Sequence, residues 1–257
     1  MIKTKVIGRV FRQDEIADQI YDMWIETELA QGARPGQFVC VYTKNAAALL
    51  PRPISICEVN EEKTMLRLVY RTVGTGTNEF AAYHAGTEIS LLGPLGNGFP
   101  VEKAAGKRVF LIGGGIGIPP MLQLSKEIKK AGQAYCELSV LGYRNELFLN
   151  TDLEKYSQVY VATEDGSAGT KGTVLDAIKE KGLSGDVIFA CGPMPMLRAV
   201  KEYAAANNME AYISLEEHMA CGVGACLGCV CKTKNVDAHS HVHNSRICTD
   251  GTVYNED

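Results

Sequence analysis

The 257-residue sequence has no apolar run that approaches the roughly 20 residues needed to cross a bilayer as a helix, which excludes a helical membrane protein. It has no basic excess either. Its 26 Lys and Arg stand against 30 Asp and Glu for a net charge of −4, which argues against a nucleic-acid partner and leaves small molecules or proteins. No internal repeat or low-complexity stretch is found. The N-terminal segment Met1 to Val10 is charged and strand-like and lacks the apolar stretch of a signal peptide, predicting a chain that stays in the cytoplasm. The sequence is rich in cysteine. Nine is an odd number, and their clustering without a secretion signal suits a reducing compartment better than a disulfide framework. With 46% hydrophobic and 22% charged residues, the composition is that of an ordinary globular protein, long enough for about two domains and a small appendage.

Five of the nine cysteines fall between Cys221 and Cys248, and four of them read C-x4-C-x2-C-x18-C: Cys221, Cys226, Cys229 and Cys248. Three thiolates from one tight loop and a fourth from far along the chain match the way plant-type ferredoxins hold a 2Fe-2S cluster. Zinc is the competing reading, although zinc sites usually gather cysteines in two knuckles of similar span. Gly222, Gly224 and Gly228 in the loop let the backbone approach closely, so that N–H groups can point at sulfur. Cys231 stands two residues after Cys229 and could replace Cys248, but ligands one residue apart would strain the loop. Cys248, returning on Arg246 to Thr249, is preferred. His239, His241 and His243 alternate and read as the solvated face of a loop or hairpin.

Three regions follow one another. Residues 1–100 alternate apolar and polar side chains in six short runs, Lys5 to Phe11, Ile20 to Leu29, Gln37 to Tyr42, Ser55 to Val59, Met65 to Thr72 and Glu88 to Leu92, with one helical stretch at Thr77 to Tyr83. This pattern predicts a small antiparallel β-barrel. Residues 101–211 alternate strands and helices and predict an α/β nucleotide-binding domain. Residues 212–257 hold the cluster cysteines and have too little apolar sequence to fold without a metal or a neighbour.

Two turns of the α/β region and one barrel segment carry chemistry. Gly113, Gly114, Gly115 and Gly117 lie after a buried strand and before a helix, where a diphosphate could approach the backbone and the helix N-terminus could supply donors. Pro119 stands where the dinucleotide fingerprint expects its last glycine, so a second turn is needed. Cys191, Gly192, Pro193 and Met196 supply one at the end of another strand. A tight turn and a Pro-started helix with a small buried cysteine are the plain structural alternatives. In the barrel, Arg52-Pro53-Ile54-Ser55 sets a guanidinium three residues before a hydroxyl. Taken by itself, this segment reads as no more than an exposed strand edge.

Together these motifs resemble the ferredoxin-reductase family of flavoproteins over about residues 1–210. With the cluster region added, the order resembles the electron-transfer subunits of type B dihydroorotate dehydrogenases. The resemblance implies an FAD-binding barrel, an NAD-binding α/β domain and a small 2Fe-2S domain. It assigns Arg52 to the FAD diphosphate, Ser55 to the isoalloxazine, and Val69, Tyr70, Arg71, Gly76 and Thr77 to the rest of FAD. Gly113 to Gly117 would hold the NAD diphosphate, and Cys191 to Met196 the nicotinamide side. Ile54 stands where the wider family carries an aromatic residue, which alters flavin stacking. The partner implied is an FMN-containing catalytic subunit, two copies of each chain forming a heterotetramer. Electrons would pass from it through the cluster and FAD to NAD+ in pyrimidine biosynthesis. No residue here suits a general base for dihydroorotate. The nearest alternative is the electron-transfer subunit of a ferredoxin:NADP oxidoreductase or sulfide dehydrogenase. A zinc-stabilised nucleotide-binding sensor is the alternative of another class.

Overall fold

A computed structural model describes residues 5–45, 47–233, 236 and 241–255. Of these, residues up to 15, 19–98 and 215–253 form one compact unit, while 16–18, 99–214 and those from 254 on form a second.

The first unit is built on β1 (Lys5–Ala17), β2 (Ile20–Glu26), β3 (Phe38–Tyr42), β4 (Arg52–Val59), β5 (Met65–Arg71), α1 (Thr75–Ala81) and β6 (Glu88–Leu95). The six strands close in the order β1-β2-β5-β4-β3-β6, with β1 antiparallel to β6. Alternation sends Val39, Val41, Ile54, Ile56, Leu66, Leu68 and Tyr70 into one core, joined by Phe80 from α1. The helix starts two residues earlier than the apolar spacing suggests. Strand β4 also reaches back to Arg52, taking in a proline. Its N-terminal half is registered only with β3, and this edge-like position accommodates a residue that has no N–H to donate.

The second unit contains β7 (Arg108–Gly114), α2 (Pro119–Ala131), β8 (Cys136–Tyr143), α3 (Asn150–Leu153), β9 (Gln158–Thr163), β10 (Thr170–Lys171), α4 (Val174–Glu180), β11 (Val187–Cys191), α5 (Met194–Ala206) and β12 (Glu210–Ser214). Strands β7 to β12 lie in the order β10-β9-β8-β7-β11-β12, each registered pair parallel. The continuous apolar runs of β7 and β11 are buried throughout, as strands covered on both faces must be. The chain builds outward from β7 to β10 and then returns to place β11 on the other side of β7. That makes β7 and β11 the topological switch point, where open α/β sheets bind ligands.

After β12 the chain forms the short hairpin β13 (Val230–Lys232) and β14 (Asn244–Arg246), then β15 (Val253–Asn255). The segment 215–253 is tied to the barrel end at several points. Asn97 donates to the Val253 carbonyl at 2.7 Å and accepts from its N–H at 3.0 Å, and Thr252 donates to Gly36 O at 2.8 Å. No helix among the described residues is long and apolar enough to cross a membrane.

Candidate functional site

The flavin residues expected from the sequence lie on the two sides of a split in the barrel. The β4–β5 ladder is registered from Val59 opposite Leu66 to Ile56 opposite Leu68 and, among the described residues, goes no further. Residues 52–55 follow β3, with Phe38 opposite Ser55 and Val41 opposite Arg52, while residues 69–71 follow β2. Arg52, Pro53, Ile54 and Ser55 therefore face Val69, Tyr70 and Arg71 across unladdered backbone. Beside the exposed Pro53, a cavity of about 430 Å3 is lined by Leu50, Arg52, Pro53, Glu217, His218 and Met219. The Arg52 guanidinium lies over Gly76 at the start of α1, where an added Cβ would overlap it. Thr77 shapes that turn by accepting from the Val73 N–H at 2.9 Å. A diphosphate fits this corner, which offers a fixed positive charge and close backbone.

Two of the seven residues turn inward. Ile54 is buried in the barrel core, so the position of the family's aromatic contributes apolar packing. Tyr70 stacks on Tyr21 with ring centres 5.9 Å apart and donates to Gln13 Oε1 at 2.8 Å. Burial, with Tyr21 and Tyr83 adding to it, pushes its phenol well above the ordinary tyrosine range. Only the main chain of Tyr70 is left to serve a ligand.

In the second unit, the register sets Cys191 directly beside Gly113, which brings the two expected turns together at the switch point. Their contact depends on glycine. A Cβ at Gly114 would stand 3.0 Å from Pro193 Cδ and 2.5 Å from Met196 Sδ, and one at Gly117 would overlap the Cys191 carbonyl and the Gly192 backbone. The second turn thus supplies the close packing that the missing third fingerprint glycine would have provided. The donors differ from expectation. Pro119 and Pro120 open α2 without N–H groups, and the N–H groups of Ile118 and Met121 already donate to Gly115 O and Ile118 O at 3.1 and 3.0 Å. An anion here would be met by the loop amides of Gly115, Ile116 and Gly117 rather than by the helix end.

The cysteine loop has N–H donors aimed at sulfur. Val223, Ala225 and Cys226 N–H groups donate to Cys221 Sγ at 3.4, 3.3 and 3.4 Å, and Gly228 N–H donates to Cys226 Sγ at 3.4 Å. Burial alone would raise the Cys221 thiol, but these donors override it and bring it down to about 7, toward the thiolate that metal ligation requires. The 18-residue gap is the β13–β14 hairpin. Val230 is registered with Arg246 and the Ile247 N–H bonds to Cys229 O, so Cys248 comes to Cys229 and its N–H donates to Cys229 Sγ at 3.5 Å. Cys231 lies further up the hairpin opposite Ser245. Arg246 forks onto Asp250 at 2.9 and 3.1 Å and braces the turn that carries Cys248. Four cysteines surrounded by amide donors suit a 2Fe-2S cluster, whose sulfurs gain negative charge on reduction. His241 and His243 are exposed on the hairpin, and His239 lies outside the described residues.

Sequence reasoning missed two features. Glu217, His218 and Met219 line the cavity next to Arg52. Cys40, in mid-strand, lies under the cysteine loop, and such a residue reads as a small core hydrophobe.

Comparison with known proteins adds three findings. Residues 216–257 match the iron-sulfur cluster binding domain of dihydroorotate dehydrogenase B, and residues 111–202 match the oxidoreductase NAD-binding domain. The chain is 42% identical over 250 residues to the "Dihydroorotate dehydrogenase B (NAD(+)), electron transfer subunit" of Geobacillus sp. (strain WCH70), covering 95% of this chain and 94% of that one. It is 43% identical over 245 residues to the protein of the same name from Bacillus velezensis, covering 93% of each. Among solved structures, that of an NADH-dependent reduced ferredoxin-NADP oxidoreductase aligns with a TM-score of 0.86 and 28% identity over 98% of this chain and 88% of its own. A ferredoxin NADP+ reductase from Neisseria gonorrhoeae with bound FAD and NADP shares the fold alone, with a TM-score of 0.68 and 15% identity over 79% of this chain and 91% of its own.

Proposed function

Because the chain belongs to the family of dihydroorotate dehydrogenase B electron-transfer subunits, we infer that it carries electrons from an FMN-containing catalytic partner to NAD+ in pyrimidine biosynthesis. The cofactors are a 2Fe-2S cluster and FAD, which when bound supply the passage between one-electron and two-electron chemistry, with NAD+ as acceptor. The chain's residues bind, orient and tune. Cys221, Cys226, Cys229 and Cys248 hold the cluster, and the loop amides stabilise its charge. Arg52 holds the FAD diphosphate, while Pro53, Ser55, Val69, Arg71, Gly76 and Thr77, with the main chain of Ile54 and Tyr70, border the rest of FAD across the β4–β5 split. Gly113, Gly114, Gly115 and Gly117 receive the NAD diphosphate, and Cys191, Gly192, Pro193 and Met196 line the nicotinamide side.

We divide the chain by function into 1–100, 101–211 and 212–257, with residues 215–253 of the third region in the same compact unit as most of the first. The partner assembly is two copies of each chain, and the location is cytoplasmic. One observation carries the reading. The amide-lined cysteine loop and the split that bears Arg52 to Ser55 belong to one unit, where the loop packs against β3 and β3 pairs with β4. Purified alone, the chain should contain iron and FAD and oxidise NADH with artificial acceptors, but it should form no orotate from dihydroorotate until the catalytic partner is added. Orotate formation by the single chain would contradict the division of labour. The 0.86 alignment favours a second reading, an electron-transfer subunit paired with a ferredoxin:NADP oxidoreductase. Copurification separates the two readings through the identity of the partner.

A further inference from the structure

The outer face of the barrel brings two parts of the molecule to adjoining strands. In β3, Val39 and Val41 point into the core, so Phe38, Cys40 and Tyr42 point out. In β4, Ile54 and Ile56 point in and Pro53 and Ser55 point out. The register sets Cys40 beside Pro53 and Phe38 beside Ser55, so the flavin segment and Cys40 share a face one strand apart, about 4.8 Å. The cysteine loop closes on that face. Gly222, immediately after Cys221, has φ +69°, and a Cβ added to it would stand 2.9 Å from Cys40 Sγ and 3.2 Å from Leu95 Cδ1. Cys40 is fully covered, so its side chain acts here as a packing group.

We propose that Cys40 and Gly222 form a spacer whose sulfur-to-backbone contact sets the distance between the cluster loop and the flavin-binding strand β4, and with it the rate of electron crossing. The proposal rests on the cofactor assignment above. Each crossing oxidises the donor by one electron and reduces the acceptor by one, with no bond made or broken, so two crossings match one hydride exchanged with the nicotinamide. Electron transfer through protein falls steeply with distance, whereas hydride transfer from NADH does not depend on this contact. The two steps can therefore be separated. A cysteine side chain fills the gap under a glycine, a leucine would overfill it, and an alanine would leave room for one methyl group on the loop.

The test mixes oxidised holoprotein with NADH and follows flavin bleaching and then cluster bleaching. In Cys40→Leu, iron content, flavin content, the paramagnetic resonance spectrum of the reduced cluster and the first phase should match wild type, while the second phase slows by about tenfold. Gly222→Ala should slow the second phase similarly. Gly222→Ala/Cys40→Ala should recover part of that loss, because removing the sulfur makes room for the methyl while the left-handed strain at φ +69° remains. An unchanged second phase in Cys40→Leu would overturn the proposal, and so would a double variant no faster than Gly222→Ala. Loss of the cluster in both single variants with flavin retained would overturn it as well, since the contact would then hold the loop folded rather than set its distance. A wild-type chain without iron or flavin would instead defeat the cofactor assignment itself.

Discussion

In the proposed assignment the two glycine-lined turns of the α/β region and the cysteine loop both meet ligands with main-chain N–H groups, but they come by their shape in opposite ways. The turns at Gly113 to Gly117 and Cys191 to Met196 extend from β7 and β11, whose apolar runs are buried, so hydrophobic burial shapes the proposed ligand site before any ligand arrives. The loop at Cys221 to Cys229 rests on the barrel face through Gly222 but has little apolar support of its own. Its hairpin strands have three residues each, Val223 and Leu227 are 43% and 57% exposed, and within the loop N–H to sulfur bonds fix the backbone. We expect one site to be made by its fold and the other to depend on its ligand for much of its order.

Removing iron should expose that difference most strongly. Chelation under reducing conditions, or Cys226→Ser, should abolish the iron-sulfur absorbance. Amide exchange across residues 221–248 should accelerate by about a hundredfold, while exchange in β7 and β11 stays at its starting level. Flavin should remain bound, because Arg52 and Gly76 lie on barrel elements that do not involve the loop sulfurs. Equal acceleration in both regions, or joint loss of both cofactors, would dissolve the contrast.

A smaller effect probes the prebuilt site. In Gly117→Ala, the new methyl meets the Cys191 carbonyl and forces the two turns apart, at a cost of about 1–3 kcal/mol in a packed location. The apparent affinity for NADH should fall by about tenfold or more, with iron and flavin content unchanged. Full NADH affinity would show that the turns can part without harm and do not act as one site.

The same contrast explains what could be read from sequence. Close backbone approach that rests on spacing was legible: C-x4-C-x2-C marks the loop whose N–H groups meet sulfur, and the glycines at 113–117 mark where two turns pack. The barrel and the α/β order followed from the periods of the apolar residues. What escaped depends on register. Cys40 acquires its place only when β3 lies between β4 and β6 and the loop closes over it, and nothing local in Val39-Cys40-Val41 foretells that. The loss of donors at α2 was in principle visible in Pro119-Pro120, but the glycine run before it masked the signal.

The mildest expected effect lies wholly within the fold-made region and asks whether its stability follows pH independently of the cluster. Glu137, on β8, accepts from Ser125 Oγ at 3.1 Å. Burial raises its carboxyl to about 7, while the Ser125 hydrogen bond and Lys129 pull only partly in the other direction. A carboxyl whose proton is held more tightly in the folded state contributes stability below the ordinary carboxylate range, near pH 4.5. That contribution fades as pH rises toward 7, because the unfolded chain ionises first. The full linkage would be about 3 kcal/mol, but the side chain is only partly buried and solvent screens it, so about 1–2 kcal/mol is expected. Urea unfolding followed by exchange of the β7 and β8 amides should show wild type losing that amount between about pH 5 and 7.5, and Glu137→Gln should flatten the curve. If the wild-type curve were flat, or rose with pH, Glu137 would be solvated as a carboxylate, and the parallel sheet would not be the sealed platform on which the turns depend.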